Sequence, residues 1–170
     1  MTNSQPAVFF DRDGVLNHDH GFVSSPNQFE WVDGAIKLIR YLNSSNIYVI
    51  VVTNQSGVAR GYFTESDVND LHKWMNKELA KESAYIDAFY YCPHHPNGSL
   101  KKYSFRCACR KPEPGLIVNA LSEWQIDISK SFLIGDKLRD LNAAKKIGLK
   151  GYLFKEKNLF DFFINEVKSI

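Results

Sequence analysis

The sequence predicts an α/β fold built on a doubly wound, mostly parallel sheet with helices on both faces. Three observations predict it. Short apolar runs alternate with helix-periodic segments along the whole chain, the longest run (47–52) reads as a buried strand, and the chemical motifs fall where such runs end. In sheets of this kind ligands bind beyond the carboxyl ends of the strands.

The strand-like runs are 7–10, 47–53, 86–91, 131–135 and 151–154. Between the first two, residues 34–43 place Ile36, Ile39 and Leu42 on one helical face. After the second run, Thr64-Glu-Ser-Asp67 has the form of a capping box, and Val68, Leu71, Met75 and Leu79 follow at helical spacing. Pro114 opens a helix whose inward face is Ile117, Ala120, Leu121 and Trp124. A short helix from Leu138 closes near Gly148, a suitable C-cap. A last helix is expected over 159–167, burying Leu159, Phe162, Phe163 and Val167. The stretch from Pro93 to Pro112 is the irregular one, and no internal repeat interrupts the pattern.

Composition narrows the function classes. A chain of 170 residues is expected to form one domain, 1–170. Hydrophobic residues at 44% and charged residues at 24% exclude a disordered chain. Twenty-one basic against nineteen acidic residues leave +2, too little to demand nucleic acid. No apolar run approaches the ~18–20 residues that span a bilayer, and no basic region precedes the apolar stretch near the N-terminus. The three cysteines, with Cys107 and Cys109 one residue apart, suit reduced thiols rather than a disulfide framework. A cytoplasmic monomer acting on a small molecule is the expectation, with no nucleic-acid or membrane partner.

Four motifs carry chemistry. In Phe9-Phe-Asp11-Arg-Asp13-Gly14 an apolar strand runs into two carboxylates at i and i+2. One can attack an electrophile while the other moves a proton, provided a cation offsets their repulsion. Thr53-Asn-Gln-Ser-Gly57 ends another strand and offers a hydroxyl and backbone N–H groups to phosphate oxygens. Arg110-Lys111-Pro112 supplies a point charge and a guanidinium fork. In Gly135-Asp136-Lys-Leu-Arg-Asp140, Asp136 ends a third strand, and its hard oxygens together with Asp11 suit Mg²⁺. Each motif alone also fits an ordinary turn, cap or solvated surface. Their conjunction, in one order, does not.

That conjunction resembles the haloacid dehalogenase-like phosphatase superfamily, over essentially the whole chain. The resemblance implies a Rossmann-like core and an aspartyl-phosphate mechanism. Asp11 is then the nucleophile, and Asp13 protonates the leaving alcohol and later activates water. Thr53 and Lys111 hold the transferring phosphoryl group, and Mg²⁺ binds Asp11, Asp136 and the Asp13 backbone carbonyl. Specificity in the superfamily usually comes from inserted caps. Between Asp13 and Thr53 there is room for one loop and one helix, so a capless member is expected.

The irregular stretch adds Cys92-Pro-His94-His95 and Cys107-Ala-Cys109. Three thiolates and one imidazole make a closed, structural Zn²⁺ site, with His94 favoured over His95. Its spacing is tighter than that of the usual zinc finger. Capless members with such a loop include a branch acting on sugar bisphosphates, which DRDGVLN, DHGFV, TNQSGVARG, CPHHP, CACRKPEPG and GDKLRDL resemble. By that resemblance Asp19, His20, Gly21 and Phe22 line the sugar site, with Phe22 where a tyrosine is expected. Gln55 and Ser56, with Arg12 and Asn54 of the same motifs, are grouped with the substrate-binding residues. Arg110 meets the distal phosphate, Lys137 the transferring one, and Arg60 is a further candidate for the distal anion. A related branch, the histidinol-phosphate phosphatases, generally has a shorter loop than the twelve residues from His95 to Arg106. Two other classes share features. A receiver-like phosphoacceptor lacks the acid two residues on, and a zinc-ribbon nucleic-acid binder leaves the other motifs unexplained.

Overall fold

Five parallel strands form one sheet in the computed structural model, which describes residues 4–167. In chain order they are β1 (Ala7–Phe10), β2 (Tyr48–Asn54), β3 (Ala88–Cys92), β4 (Phe132–Gly135) and β5 (Lys150–Leu153), arranged β3-β2-β1-β4-β5. The helices are α1 (Ala35–Ser44), α2 (Glu65–Lys81), α3 (Gly115–Glu123), α4 (Leu138–Lys145) and α5 (Leu159–Phe162).

Alternation along β1 builds the two layers. Val8 and Phe10 pack on one side with Leu38, Ile39 and Leu42 of α1, Met75 and Leu79 of α2, and Phe162. Ala7 and Phe9 pack on the other with Leu116, Ile117 and Ala120 of α3 and Ala143 and Ala144 of α4. Each fully buried aromatic contributes on the order of 1.5–3 kcal/mol. Because both faces are covered, the central strands read as unbroken apolar runs. The register sets Phe9 beside Ile50 on β2 and Leu133 on β4. The ends of these three strands therefore open into one crevice.

The expected elements are present with small shifts that have local causes. β3 begins at Ala88 rather than at 86, because the Asn76 side chain occupies the backbone of Ile86, accepting from its N–H (2.8 Å) and donating to its carbonyl (2.9 Å). β4 begins one residue late. The Ser131 hydroxyl instead accepts from the Ala7 N–H at 2.8 Å. The Thr64–Asp67 capping box forms at the start of α2. The last helix stays α-helical only over Leu159–Phe162, capped by Asn158, and widens to a π-helix over Phe163–Val167. Among the described residues no helix is long and apolar enough to cross a membrane.

Candidate active site

Asp11 follows β1 directly, Thr53 lies at the end of β2, and Asp136 follows β4, so the strand order brings the three to one point. Lys111 arrives from the irregular stretch and is fully enclosed. Its Nζ lies 3.0 Å from Asp11 Oδ1 and 2.6 Å from Asp140, and donates to the Val52 carbonyl at 2.7 Å. The Lys111 backbone is bracketed by Asn54, whose side-chain amide accepts from its N–H and donates to its carbonyl, each at 3.0 Å.

Asp11 Oδ1 also accepts the Arg12 N–H at 2.8 Å. Burial pushes the Asp11 carboxyl up to about 6. Lys111 pulls it back down, while Asp140 and Asp13 add to the rise. Asp13 goes the other way. Burial alone raises it, but the Arg12 guanidinium and donors from Asn17 (3.0 Å) and Gln55 (2.9 Å) hold its carboxyl below the usual range. Two neighbouring carboxylates thus sit in environments that push their proton affinities apart.

Arg12 lies beneath the acid pair. Its side chain is completely buried behind Asp13, with Nη2 donating to both Asp13 oxygens (3.1 Å each), to the Val23 carbonyl (2.6 Å) and to Gln55 Oε1 (3.2 Å). The Arg12 side chain thus braces the acid from behind. Its Nη1 lies 3.4 Å from Nε2 of His72, which stacks on Phe89 with ring centres 4.3 Å apart. A guanidinium has no lone pair to give, so His72 must accept with a neutral ring. Its proton affinity is accordingly low, near 3, chiefly through burial and then through Arg12.

Asp13, Asp19, Gly21, Phe22, Asn54, Gln55, Ser56, Gly57 and Arg139 line the cleft above these groups, about 280 Å³ in volume. Gln55 joins its parts, since its Nε2 donates to both Asp13 and the Thr53 hydroxyl, each at 2.9 Å. His20 is not among the lining residues and pairs with Glu30 at 3.0 Å on the surface. Lys137 reaches Asp136 Oδ2 at 2.8 Å. Arg60 and Arg110 stand nearby, Arg60 beside the Phe22 ring (5.9 Å) and Arg110 donating to the His94 carbonyl at 3.2 Å.

Carboxylate oxygens of Asp11, Asp136 and Asp140 lie within 4.8 Å of one another. Asp136 Oδ1 is buried without a hydrogen-bond partner. An orphaned carboxylate oxygen among hard donors fits a divalent cation. Gly14 makes room for the Asp136 carboxylate itself. The glycine's φ is +88°, and a Cβ there would stand 2.5 Å from Asp136 Oδ2.

A second cluster pins the loop that delivers Lys111. Cys92 Sγ lies 3.5 Å from Cys107 and 3.0 Å from Cys109, Cys107 and Cys109 are 3.3 Å apart, and His94 Nδ1 is 3.4 Å from Cys109. With Zn–S bonds of about 2.3 Å, the edges of a tetrahedral site have about this size. His95 turns away, its Nδ1 accepting the Asn97 N–H. Hydrogen bonds, first from Cys92, bring the Cys109 thiol down to about 5, so it yields a thiolate readily. Outside the cluster, Glu65 of α2 accepts from the Tyr91 and Tyr103 hydroxyls (2.8 and 2.7 Å), tying the loop to the core.

Sequence reasoning left four contributors without a role. Asp140 was visible one helical turn after Asp136, but its pairing with Lys111 was not. His72 stands at 72 within the apolar series Val68, Leu71, Met75 and Leu79, and a polar residue on a buried face was the available signal. Asn17 and Arg139 carried none.

The family model described as HAD-hyrolase-like matches residues 108–157. A D-glycero-beta-D-manno-heptose-1,7-bisphosphate 7-phosphatase of Rhodopseudomonas palustris is 44% identical over 163 residues, 96% of this chain and 90% of its own. One of Escherichia coli is 46% identical, covering 85% and 75%. Among solved structures, the D,D-heptose 1,7-bisphosphate phosphatase of B. bronchiseptica, complexed with magnesium and phosphate, is 34% identical with a TM-score of 0.79, covering 94% of this chain and 86% of its own.

Proposed function

Since this chain belongs to the haloacid dehalogenase-like phosphatases, within the family of the heptose-1,7-bisphosphate 7-phosphatases, we propose that it removes the 7-phosphate of D-glycero-beta-D-manno-heptose 1,7-bisphosphate. The observation that carries the reading is the meeting of Asp11, Asp13, Thr53, Lys111 and Asp136 in one crevice of a chain that matches such relatives almost end to end. The product is then a sugar 1-phosphate, ready for nucleotide activation on the way to the lipopolysaccharide core. The beta anomer follows the names of the relatives. A monomeric, cytoplasmic enzyme is part of the reading.

Asp11 Oδ1 is occupied by the Arg12 amide and Lys111, which leaves Oδ2 to attack phosphorus. Lys111 and the Thr53 hydroxyl hold the equatorial oxygens as charge moves onto them, and Lys137 adds a cation beside Asp136. Phosphoryl transfer needs mainly alignment and charge neutralisation, and these groups supply both. Asp13 is ionised in the free protein. A dianionic phosphate arriving beside it raises its proton affinity, which fits it to protonate the departing sugar oxygen. It then takes a proton from the water that hydrolyses the Asp11 acyl phosphate. Asp11, Asp136 and the Asp13 carbonyl would hold Mg²⁺, which would supply positive charge to phosphate and nucleophile together. Cys92, His94, Cys107 and Cys109 would hold Zn²⁺ in a structural role.

In this reading Asp19, Gly21, Phe22, Gln55 and Ser56, which line the cleft, take the sugar, and Arg110 takes the far phosphate. The test is phosphate release from the beta and alpha bisphosphates and from histidinol phosphate, with Mg²⁺ and then with EDTA. Mg²⁺-dependent preference for the beta bisphosphate is expected. Preference for histidinol phosphate would overturn the substrate and keep the mechanism.

A further inference from the structure

Behind Asp13 the guanidinium of Arg12 is held unevenly. All of its contact with the acid runs through one nitrogen, Nη2, which lies 3.1 Å from each Asp13 oxygen and also donates to the Val23 carbonyl and to Gln55 Oε1. An arginine that grips a carboxylate with its full fork sets two nitrogens on two oxygens. Here the second terminal nitrogen, Nη1, meets His72 Nε2 instead, at 3.4 Å. The third nitrogen, Nε, is buried without a hydrogen-bond partner. Among the described residues, His72 is thus the one acceptor that this guanidinium meets through a nitrogen other than Nη2.

His72 is itself firmly set. It stands on the buried face of α2 and is almost fully enclosed. Its ring stacks on Phe89 with the planes 14° apart, and the Tyr91 ring stands at 66° to it with centres 6.1 Å apart. Phe89 and Tyr91 lie two residues apart on β3, so one face of that strand supplies both rings. A ring locked by packing fixes the place of its acceptor, which is what a supporting group behind a reacting one requires.

We infer that His72 is a positioning residue for the proton transfer to the leaving sugar oxygen. By holding Nη1 it keeps the Arg12 fork from closing on both Asp13 oxygens, and so keeps the Asp13 carboxyl turned to the cleft that it lines. Without that acceptor Nη1 is a buried donor with no partner, a costly state that the fork relieves by turning onto Asp13. The carboxyl is then drawn back. Its proton has farther to travel as the bond from Asp11 to phosphorus forms and the bond from phosphorus to the sugar oxygen breaks. The inference rests on the phosphatase reading above and deepens it, since it adds His72 to the groups that serve the first chemical step.

The experiment compares two leaving groups in the metal-loaded wild type, His72→Leu and His72→Gln. A sugar alkoxide needs a proton to depart, whereas p-nitrophenolate is a weak base and departs without one. kcat/KM covers each reaction up to loss of the leaving group, so the later hydrolysis of the acyl phosphate does not enter. For heptose 1,7-bisphosphate, kcat/KM is expected to fall about tenfold or more in His72→Leu, through kcat rather than KM, while for p-nitrophenyl phosphate it stays within about twofold. His72→Gln still offers Nη1 an oxygen and is expected to restore most of the bisphosphate value. Equal losses on the two substrates in His72→Leu, or none on either, would overturn the inference and leave the phosphatase reading standing. So would a glutamine variant as impaired as the leucine one. A wild type that releases no phosphate from the bisphosphate would remove the substrate reading, and the role of His72 with it.

Discussion

The ammonium of Lys111 lies 2.6 Å from the carboxylate of Asp140, and neither side chain is open to solvent. Asp11 shares the same ammonium at 3.0 Å. One cation therefore serves two buried acids, one after β1 and one in the first turn of α4, and neither acid is balanced without it. Asp140 also accepts the Lys137 N–H at 3.1 Å, so the pair fixes the turn that carries Asp136.

Lys111→Met tests that dependence. With the cation gone, two carboxylates remain buried and unpaired, and stability is expected to fall by about 3–5 kcal/mol. Urea denaturation of variant and wild type without added metal measures it. A loss under about 1 kcal/mol would show that the acids are balanced by something other than Lys111.

Asp13→Asn keeps the shape of the acid and removes its proton chemistry. Phosphate release is expected to drop by about 10²–10⁴-fold at saturating substrate, the usual range for a lost general acid–base. Wild-type turnover in this variant would eliminate Asp13 from the proton transfers.

His72 sets an acid limit on the fold. In the unfolded chain its imidazole titrates near 6.5, whereas in the folded protein it stays neutral down to about 3. The unfolded state therefore binds the proton first. The stability held at this site is complete above pH 6.5 and is lost as the pH falls toward 3, by on the order of 3 kcal/mol at pH 4. His72→Gln, which can still accept from Arg12, is expected to flatten this part of the stability–pH curve. Parallel curves for the two proteins in urea titrations at pH 4–7 would defeat the assignment.

The thiol cluster should hold one zinc ion per chain. Cys109→Ser is expected to lose that ion in elemental analysis and to expose the 93–112 stretch to limited proteolysis. kcat/KM is expected to fall at least tenfold, because Arg110 and Lys111 follow Cys109 directly. Full activity in a zinc-free Cys109→Ser protein would separate the cluster from the site.

What the sequence made legible was whatever depends on one stretch of chain. β1 and β2 announced themselves as apolar runs ending at Asp11 and Thr53, and the Thr64–Asp67 box marked the start of α2 by its own spacing. Cys92, His94, Cys107 and Cys109 are gathered by a single loop, so their clustering also shows in one dimension. The less legible features join distant segments. Arg12 looks like a free cation beside two acids, and only the packing of His72, Val23 and Gln55 around it shows that it is enclosed. The sharing of Lys111 by Asp11 and Asp140 depends on the order of the strands, which no local pattern encodes.

Asn54 grips the backbone of Lys111 at both its N–H and its carbonyl, and the lysine's own Nζ reaches back to Val52 on the same strand. Three hydrogen bonds thus rivet the far end of the cysteine-bearing loop to the sheet, while Cys107 and Cys109 tie that end back to Cys92 at its start. A segment fastened at both ends does not swing. The mouth of this crevice behaves as a cast form, shaped once when the chain folds. What this loop contributes to the choice of substrate is fit to a standing contour.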